Sequence, residues 1–226
     1  MKIALLLSGE IRDSFHNYKY LKENLLDLYD VDIFLSTWKS EGLDRVLQIF
    51  KPVSVDVEDY DRGYNKLWVS TVSPYEHKLE PNASLVSCMS MWYKTFKVNL
   101  LRLQYEQLMG TKYDVIIKSR PDLKLEEPFK LEIPKDNTLY IPRGWDWSGG
   151  VNDLCAYGTS EMINKYSNLY LFYEEVIKTI DVKLNPEIIL YYYLKGLGDL
   201  KLERPEIDMT LRNMNIKSTY NFRNKW

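Results

Sequence analysis

Two cysteines and two histidines among 226 residues are too few for a disulfide framework or a zinc cluster. Cys88 and Cys155 sit in apolar company and read as buried thiols of a reducing compartment. Excess charge is missing as well. Thirty basic against 32 acidic residues leave a net charge of -2, which argues against the broad basic face that a nucleic-acid polymer needs. No apolar run approaches the roughly 20 residues of a membrane span. The opening Ile3-Ala4-Leu5-Leu6-Leu7 halts at Ser8-Gly9-Glu10 without a cleavage-site pattern, so it reads as a first strand and not as a leader. A cytoplasmic protein without a transmembrane segment is expected. Repeats, heptads and low-complexity tracts are absent too.

What is present is an ordinary globular composition, 45% apolar and 27% charged. It is enough for one α/β domain over residues 1–226. The first 14 residues read as strand, glycine turn and helix start, with Asp13 or Ser14 as the cap and Tyr18, Leu21, Leu25 and Leu28 at helical spacing. Val31 to Trp38 is a second strand ending in Ser36, Thr37 and Trp38. Leu43 to Phe50 is a short helix ended by Pro52, and Val53 to Val57 alternates like a third strand at or near an edge. Three such steps predict a largely parallel sheet flanked by helices. Glu58 to Ser84, with Gly63, Pro74 and Pro81 among aromatic and charged residues, reads as a long loop serving as a lid, a partner surface or a packed insertion.

Met89 to Leu108 is expected to be a long helix with Met89, Trp92, Phe96, Leu100, Leu103 and Leu108 in its apolar stripe and Lys94 beside it. A lysine so placed is ordinarily a snorkelling surface residue. Met162 to Ile180 carries a helical pattern after Thr159-Ser160-Glu161. Asn185-Pro186-Glu187 starts another helix, with Asn185 as cap. Leu200 to Leu211 should return one strand or extended segment before a polar tail through Trp226.

Two stretches hold polar residues that a fold does not need for its own sake. In Lys112 to Lys124, the strand Val115-Ile116-Ile117 ends in Ser119-Arg120-Pro121-Asp122. The proline stops pairing and delivers Arg120 and Asp122 at the carboxyl edge of the sheet. In Gly144 to Ser160, Gly149 and Gly150 permit close backbone approach, and Asn152 and Asp153 precede the strand-like Leu154 to Tyr157. Ser8, Gly9 and Arg12 lie at the end of the first strand, a usual place for a nucleotide. Trp145 and Trp147, next to Gly144, suit the apolar face of a sugar or an ordinary packed loop.

The ordered set SGEIRDS (8–14), DIFLSTW (32–38), MWYKTF (91–96), YDVIIKSRPDLKL (113–125), GGVNDLCAYGTSEMINKY (149–166) and NPEIILYYYL (185–194) resembles small GT-A-type glycosyltransferases. Similar domains occur in bacterial surface-polysaccharide clusters and in large algal viruses. The resemblance covers most of the chain and implies one GT-A-like, Rossmann-like domain with a mixed, mostly parallel sheet. It implies transfer of a sugar from a nucleoside-diphosphate-sugar donor to a glycan or glycoconjugate acceptor. The donor would lie near Ser8, Gly9, Arg12, Ser36, Thr37, Lys94 and Arg120, with Gly149, Gly150 and Asn152 at its sugar.

The family's Asp-x-Asp motif falls on Arg120-Pro121-Asp122, so its first acid is missing. Asp122 would then be the protein ligand of a Mn²⁺ or Mg²⁺ bridging the diphosphate, with Arg120 as an alternative partner for the leaving group. Asp153 is the expected base of an inverting transfer, ahead of Glu187. The broken motif motivates an alternative, a non-catalytic nucleotide- or carbohydrate-binding module of the same fold. A nucleotidyltransferase is disfavoured because no glycine-rich phosphate loop of recognised spacing occurs.

Overall fold

The computed structural model describes residues 1–60, 62–81 and 83–211, so the expected polar tail from residue 212 to 226 lies outside the described residues. Its centre is a seven-stranded sheet made of β1 (Lys2–Ser8), β2 (Asp30–Trp38), β3 (Ser54–Glu58), β4 (Val115–Ser119), β6 (Thr138–Tyr140), β7 (Cys155–Gly158) and β8 (Lys201–Glu203). The order is β3-β2-β1-β4-β7-β6-β8. Only β7 runs against the others, pairing antiparallel with both β4 and β6. The expected mixed, mostly parallel sheet is therefore present, flanked by helices on both faces. A small separate sheet joins β5 (Leu123–Leu125) to β9 (Met209–Leu211).

The period-2 geometry of β1 divides the core. Ile3, Leu5 and Leu7 face one side, packing with α1 (Ser14–Leu21) and α2 (Leu43–Phe50), while Ala4 and Leu6 face the other. That second side is covered by α4 (Leu85–Met109), α5 (Ser160–Ser167), α6 (Leu169–Thr179) and α7 (Pro186–Gly196). Their starts use the expected chemistry. Thr159 Oγ1 accepts the Met162 N–H at 3.4 Å, and Asn185 Oδ1 accepts the Ile188 N–H at 2.7 Å. Asp13 precedes α1 but makes no side-chain cap bond there; its carbonyl instead accepts the N–H groups of His16 and Asn17. The helical pattern of residues 162–180 is broken at Asn168 into α5 and α6.

Three expectations require correction. Residues 58–84 are not one long loop: α3 (Arg62–Val72) and a 3₁₀ turn (Ser73–Lys78) occupy most of the described residues there. Trp68 and Val72, one helical turn apart, are fully buried, and Trp68 packs edge-on to Trp38 at 6.2 Å. Pro74 starts the 3₁₀ turn, where its missing N–H costs nothing.

The apolar stripe expected on α4 is also displaced, since Leu108 is 83% exposed while Lys94, Asn99, Arg102 and Glu106 face inward. These four buried polar side chains are partnered. Arg102 donates to Asn99, Glu106, Ser160 and Asn164, and Lys94 donates to Asp56 at 3.0 Å and Glu58 at 2.6 Å.

Finally, Leu200 to Leu211 supplies two short strands, β8 and β9. The edge strand β3 shows the reverse of the usual alternation. Val55 and Val57 point outward, while Asp56 and Glu58 point in toward Lys94.

Candidate functional site

A cleft of about 790 Å³ opens at the carboxyl edge of the sheet. Chain direction explains what gathers there. β1 and β4 run parallel and end at Ser8 and Ser119. Because β7 runs the other way, with Ser119 opposite Cys155, the residues just before β7 arrive at the same edge. The Arg120 N–H donates to the Leu154 carbonyl at 3.2 Å and ties the two strand mouths together. Ser8, Gly9, Arg12, Arg120, Asp153 and Glu187 all line the cleft.

Arg12 and Arg120 form one side of a three-part ionic contact. Asp122 accepts Arg120 Nε at 2.8 Å on Oδ1 and Arg120 Nη2 at 2.6 Å on Oδ2, and Arg12 Nη1 stands 3.7 Å from Oδ2. The Asp122 carbonyl accepts Asn17 Nδ2 at 2.6 Å, so α1 fixes its backbone. Burial would lower the basicity of Arg120, but its fork-to-fork pair with Asp122 raises it instead. Arg12 is more open to solvent: its side chain is 54% exposed, and its second acid, Glu10, is exposed as well. Its φ of 33° is uncommon for a residue with a Cβ. Trp145 at φ 60° and Ser148 at φ 53° share that trait, so the backbone strain borders the cleft.

The cleft lining also carries two acids, Asp153 and Glu187. The loop before β7 is pinned by Arg204, which grips Asp146 at 2.6 and 2.8 Å, while Asp146 Oδ1 accepts the Asn152 N–H at 2.8 Å. Asn152 is fully buried and makes an Asx turn, its Oδ1 accepting the Leu154 N–H at 2.8 Å. That turn sets Asp153 toward the cleft. Behind it Lys118, fully buried, donates to the Asp153 carbonyl at 2.7 Å and lies 5.9 Å from the rings of both Trp92 and Tyr166.

The electrostatics act on both acids. Burial raises Asp153, but Lys118 and Arg120 hold that rise back. Burial and then Asp153 push Glu187 up to about 8, and its other charged neighbours, Glu80 and Asp146, push the same way. Both acids are thus raised, and Glu187, at about 8, keeps its proton near neutrality. Lys118 itself is pushed down to about 8 by burial, against the pull of Asp153. Cys88, also on the cleft wall, is pushed up to about 12 by burial and Asp153, and is an inert free thiol.

Several residues expected at the donor are placed elsewhere. Lys94 is fully buried beneath the cleft, held by Asp56 and Glu58 with its Nζ 4.1 Å from the Trp38 ring. Ser36 donates to Asp56 at 2.7 Å, and Thr37 Oγ1 donates to the Trp38 carbonyl at 3.3 Å; both are buried. None of the three lines the cleft; they reach it through neighbours that do, Trp38 beside Lys94 and Gly9, whose N–H donates to the Ser36 carbonyl at 3.1 Å. Gly149 (φ 85°) turns the chain, and Gly150 abuts the start of α7, but neither lines the cleft, nor does Asn152. Trp145 and Trp147, which the Gly144-to-Trp147 run offered for a sugar's apolar face, line the cleft, and Trp38 and Tyr60 add aromatic surface that strand-end reasoning did not assign to the site.

The donor set at Asp122 does not fit a divalent cation. Both carboxylate oxygens are engaged by Arg120 with Arg12 close by, and no group of three or more His, Cys, Asp or Glu side chains suited to a metal occurs among the described residues. A dication there would have to displace one guanidinium and sit beside two.

The chain matches no family model and no curated protein. Among solved structures it is similar to apo mouse xyloside xylosyltransferase 1, with 11% identity over 90% of this chain and 84% of that chain and a TM-score of 0.48. A likeness of that size carries no argument about chemistry.

Proposed function

We propose that the protein is a glycosyltransferase that moves a sugar from a nucleoside-diphosphate donor to a hydroxyl of a glycan or glycoconjugate, with inversion. The observation that carries this reading is that two guanidinium groups, Arg12 and Arg120, and two carboxyl groups, Asp153 and Glu187, line one cleft together with Trp38, Trp145 and Trp147. A diphosphate needs the first and an attacking hydroxyl the second. In the reaction, Asp153 takes the acceptor proton as the acceptor oxygen bonds to the anomeric carbon. The bond from that carbon to the diphosphate breaks, and Arg12 and Arg120 meet the charge that leaves. Glu187, protonated, donates a hydrogen bond to a sugar hydroxyl and does not compete for the proton. Trp145 and Trp147 give the sugar an apolar face to rest on.

The test is a panel of UDP-, GDP- and dTDP-sugars with oligosaccharide acceptors, read by nucleotide release and product mass. Acceptor-dependent transfer from any one donor supports the enzyme. The second reading, a binding module without turnover, draws support from the capture of Asp122 by Arg120. Tight nucleotide binding with no transfer across the panel would select it.

A further inference from the structure

We propose that Asp122 is a positioning residue for a metal-independent diphosphate site, in which its carboxylate presents Arg12 and Arg120 to the two phosphates and binds no cation itself. The inference rests on reading the cleft as a nucleoside-diphosphate-sugar site.

The geometry is that of a pivot. Asp122 is 7% exposed, fixed at its carbonyl by Asn17, and each of its oxygens receives one donor of the Arg120 fork. A bidentate pair leaves the remaining guanidinium N–H groups of Arg120 aimed away from Asp122, and Arg120 lines the cleft. Arg12 approaches the same carboxylate at 3.7 Å, beyond an ordinary hydrogen bond, and its closer partner is the exposed Glu10 at 2.9 Å. A contact between two exposed groups is weak, so an incoming phosphate can draw Arg12 away from Glu10 without breaking anything buried. The two guanidiniums carry two positive charges and the pivot one negative. The site thus supplies in protein side chains the countercharge that a bridging cation would otherwise bring.

The experiment is calorimetric titration of the purified full chain with UDP, GDP and dTDP, and with the matching nucleosides, in EDTA and in Mn²⁺. The tightest diphosphate is expected to bind in EDTA within about threefold of its affinity in Mn²⁺. Asp122→Asn should weaken that diphosphate by tenfold or more in EDTA while leaving the nucleoside's affinity unchanged, a split that simple misfolding would not produce. Arg12→Gln, at an exposed position, repeats the test without risk to the core and should weaken the diphosphate alone. Two results overturn the inference while leaving the glycosyltransferase reading standing: affinity that rises tenfold or more with Mn²⁺, or Asp122→Asn binding the diphosphate like wild type in EDTA. Failure of every nucleotide to bind in either medium overturns both.

Discussion

Gly150 and Glu187 are in backbone contact: a Cβ on Gly150 would fall 2.2 Å from the carbonyl carbon of Glu187, and the next residue's N–H, that of Val151, donates to the Glu187 carbonyl at 3.1 Å. The loop that carries Asp153 and the helix that carries Glu187 are thereby locked at a spacing that only glycine allows. Gly150→Ala should push them apart. The expected result is a loss of stability of about 1 to 3 kcal/mol, seen as a lower urea midpoint, together with a transfer rate reduced at least tenfold. A variant with wild-type stability and rate would show that the two segments yield freely.

Asp153→Asn removes the proposed base. Transfer should fall by about 10² to 10⁴ with nucleoside-diphosphate affinity preserved. Glu187→Gln keeps the hydrogen-bonding capacity of a protonated carboxyl and should cost far less. Single-turnover rates for the two variants decide between the acids, and collapse in Glu187→Gln with near-normal Asp153→Asn would exchange their roles.

Lys118 controls where on the pH axis the base works. Its charge behind Asp153 favours the ionised carboxylate, so Lys118→Met should raise the pKa of Asp153 and move the rising limb of the rate profile to higher pH. A profile that only loses amplitude, with its limb unmoved, would reduce Lys118 to a packing role.

Glu187 also predicts a stability trend with a definite sign. Its folded pKa near 8 lies above the ordinary 4.5, so between those values the folded chain holds more proton than the unfolded one. Stability from this group falls as pH rises from about 5 to 8, by on the order of a few kcal/mol. Glu187→Gln should remove that slope, and the variant should gain most on the wild type near pH 8 in urea titrations. An unchanged slope would place the titrating group elsewhere.

Trp147 is 43% exposed at the cleft mouth. Trp147→Ala should leave thermal stability nearly unaltered and raise the KM for donor or acceptor about tenfold, the scale of one lost aromatic face. Equal KM values for both substrates would remove it from the sugar-binding surface.

The sheet was legible because β-branched runs such as Val115 to Ile117 are short, buried and cut off by turn residues. The edge where ligands gather followed from those endings. The place of Asp153 on the cleft was legible by the same route, since it directly precedes the strand Leu154 to Tyr157, although an Asn-Asp pair there serves an Asx turn equally well. Less legible were features set by partners distant in the chain. Lys94 sits 36 residues from Glu58, and nothing in its helical neighbourhood announces that an edge strand will bring it two acids. Residues 62–72 were hidden because Gly63 lies among them and Pro74 and Pro81 follow, although Trp68 and Val72 carried the helical spacing all along. Asn152 read as a ligand contact, yet its amide is consumed by the turn that aims its neighbour.

The inverted alternation of β3 has a consequence for assembly. An edge strand that turns valines to solvent has no greasy side to tell it which residue should pair with which. Here the ruler is ionic: a slip of one position would swing Asp56 and Glu58 outward and set Val55 or Val57 against Lys94, stranding an ammonium group in a dry interior. A shift by two would still offer one acid, and only the observed alignment offers both. The last strand of the sheet is thus proofread by two lysines, Lys94 and Lys97, reaching across from the longest helix.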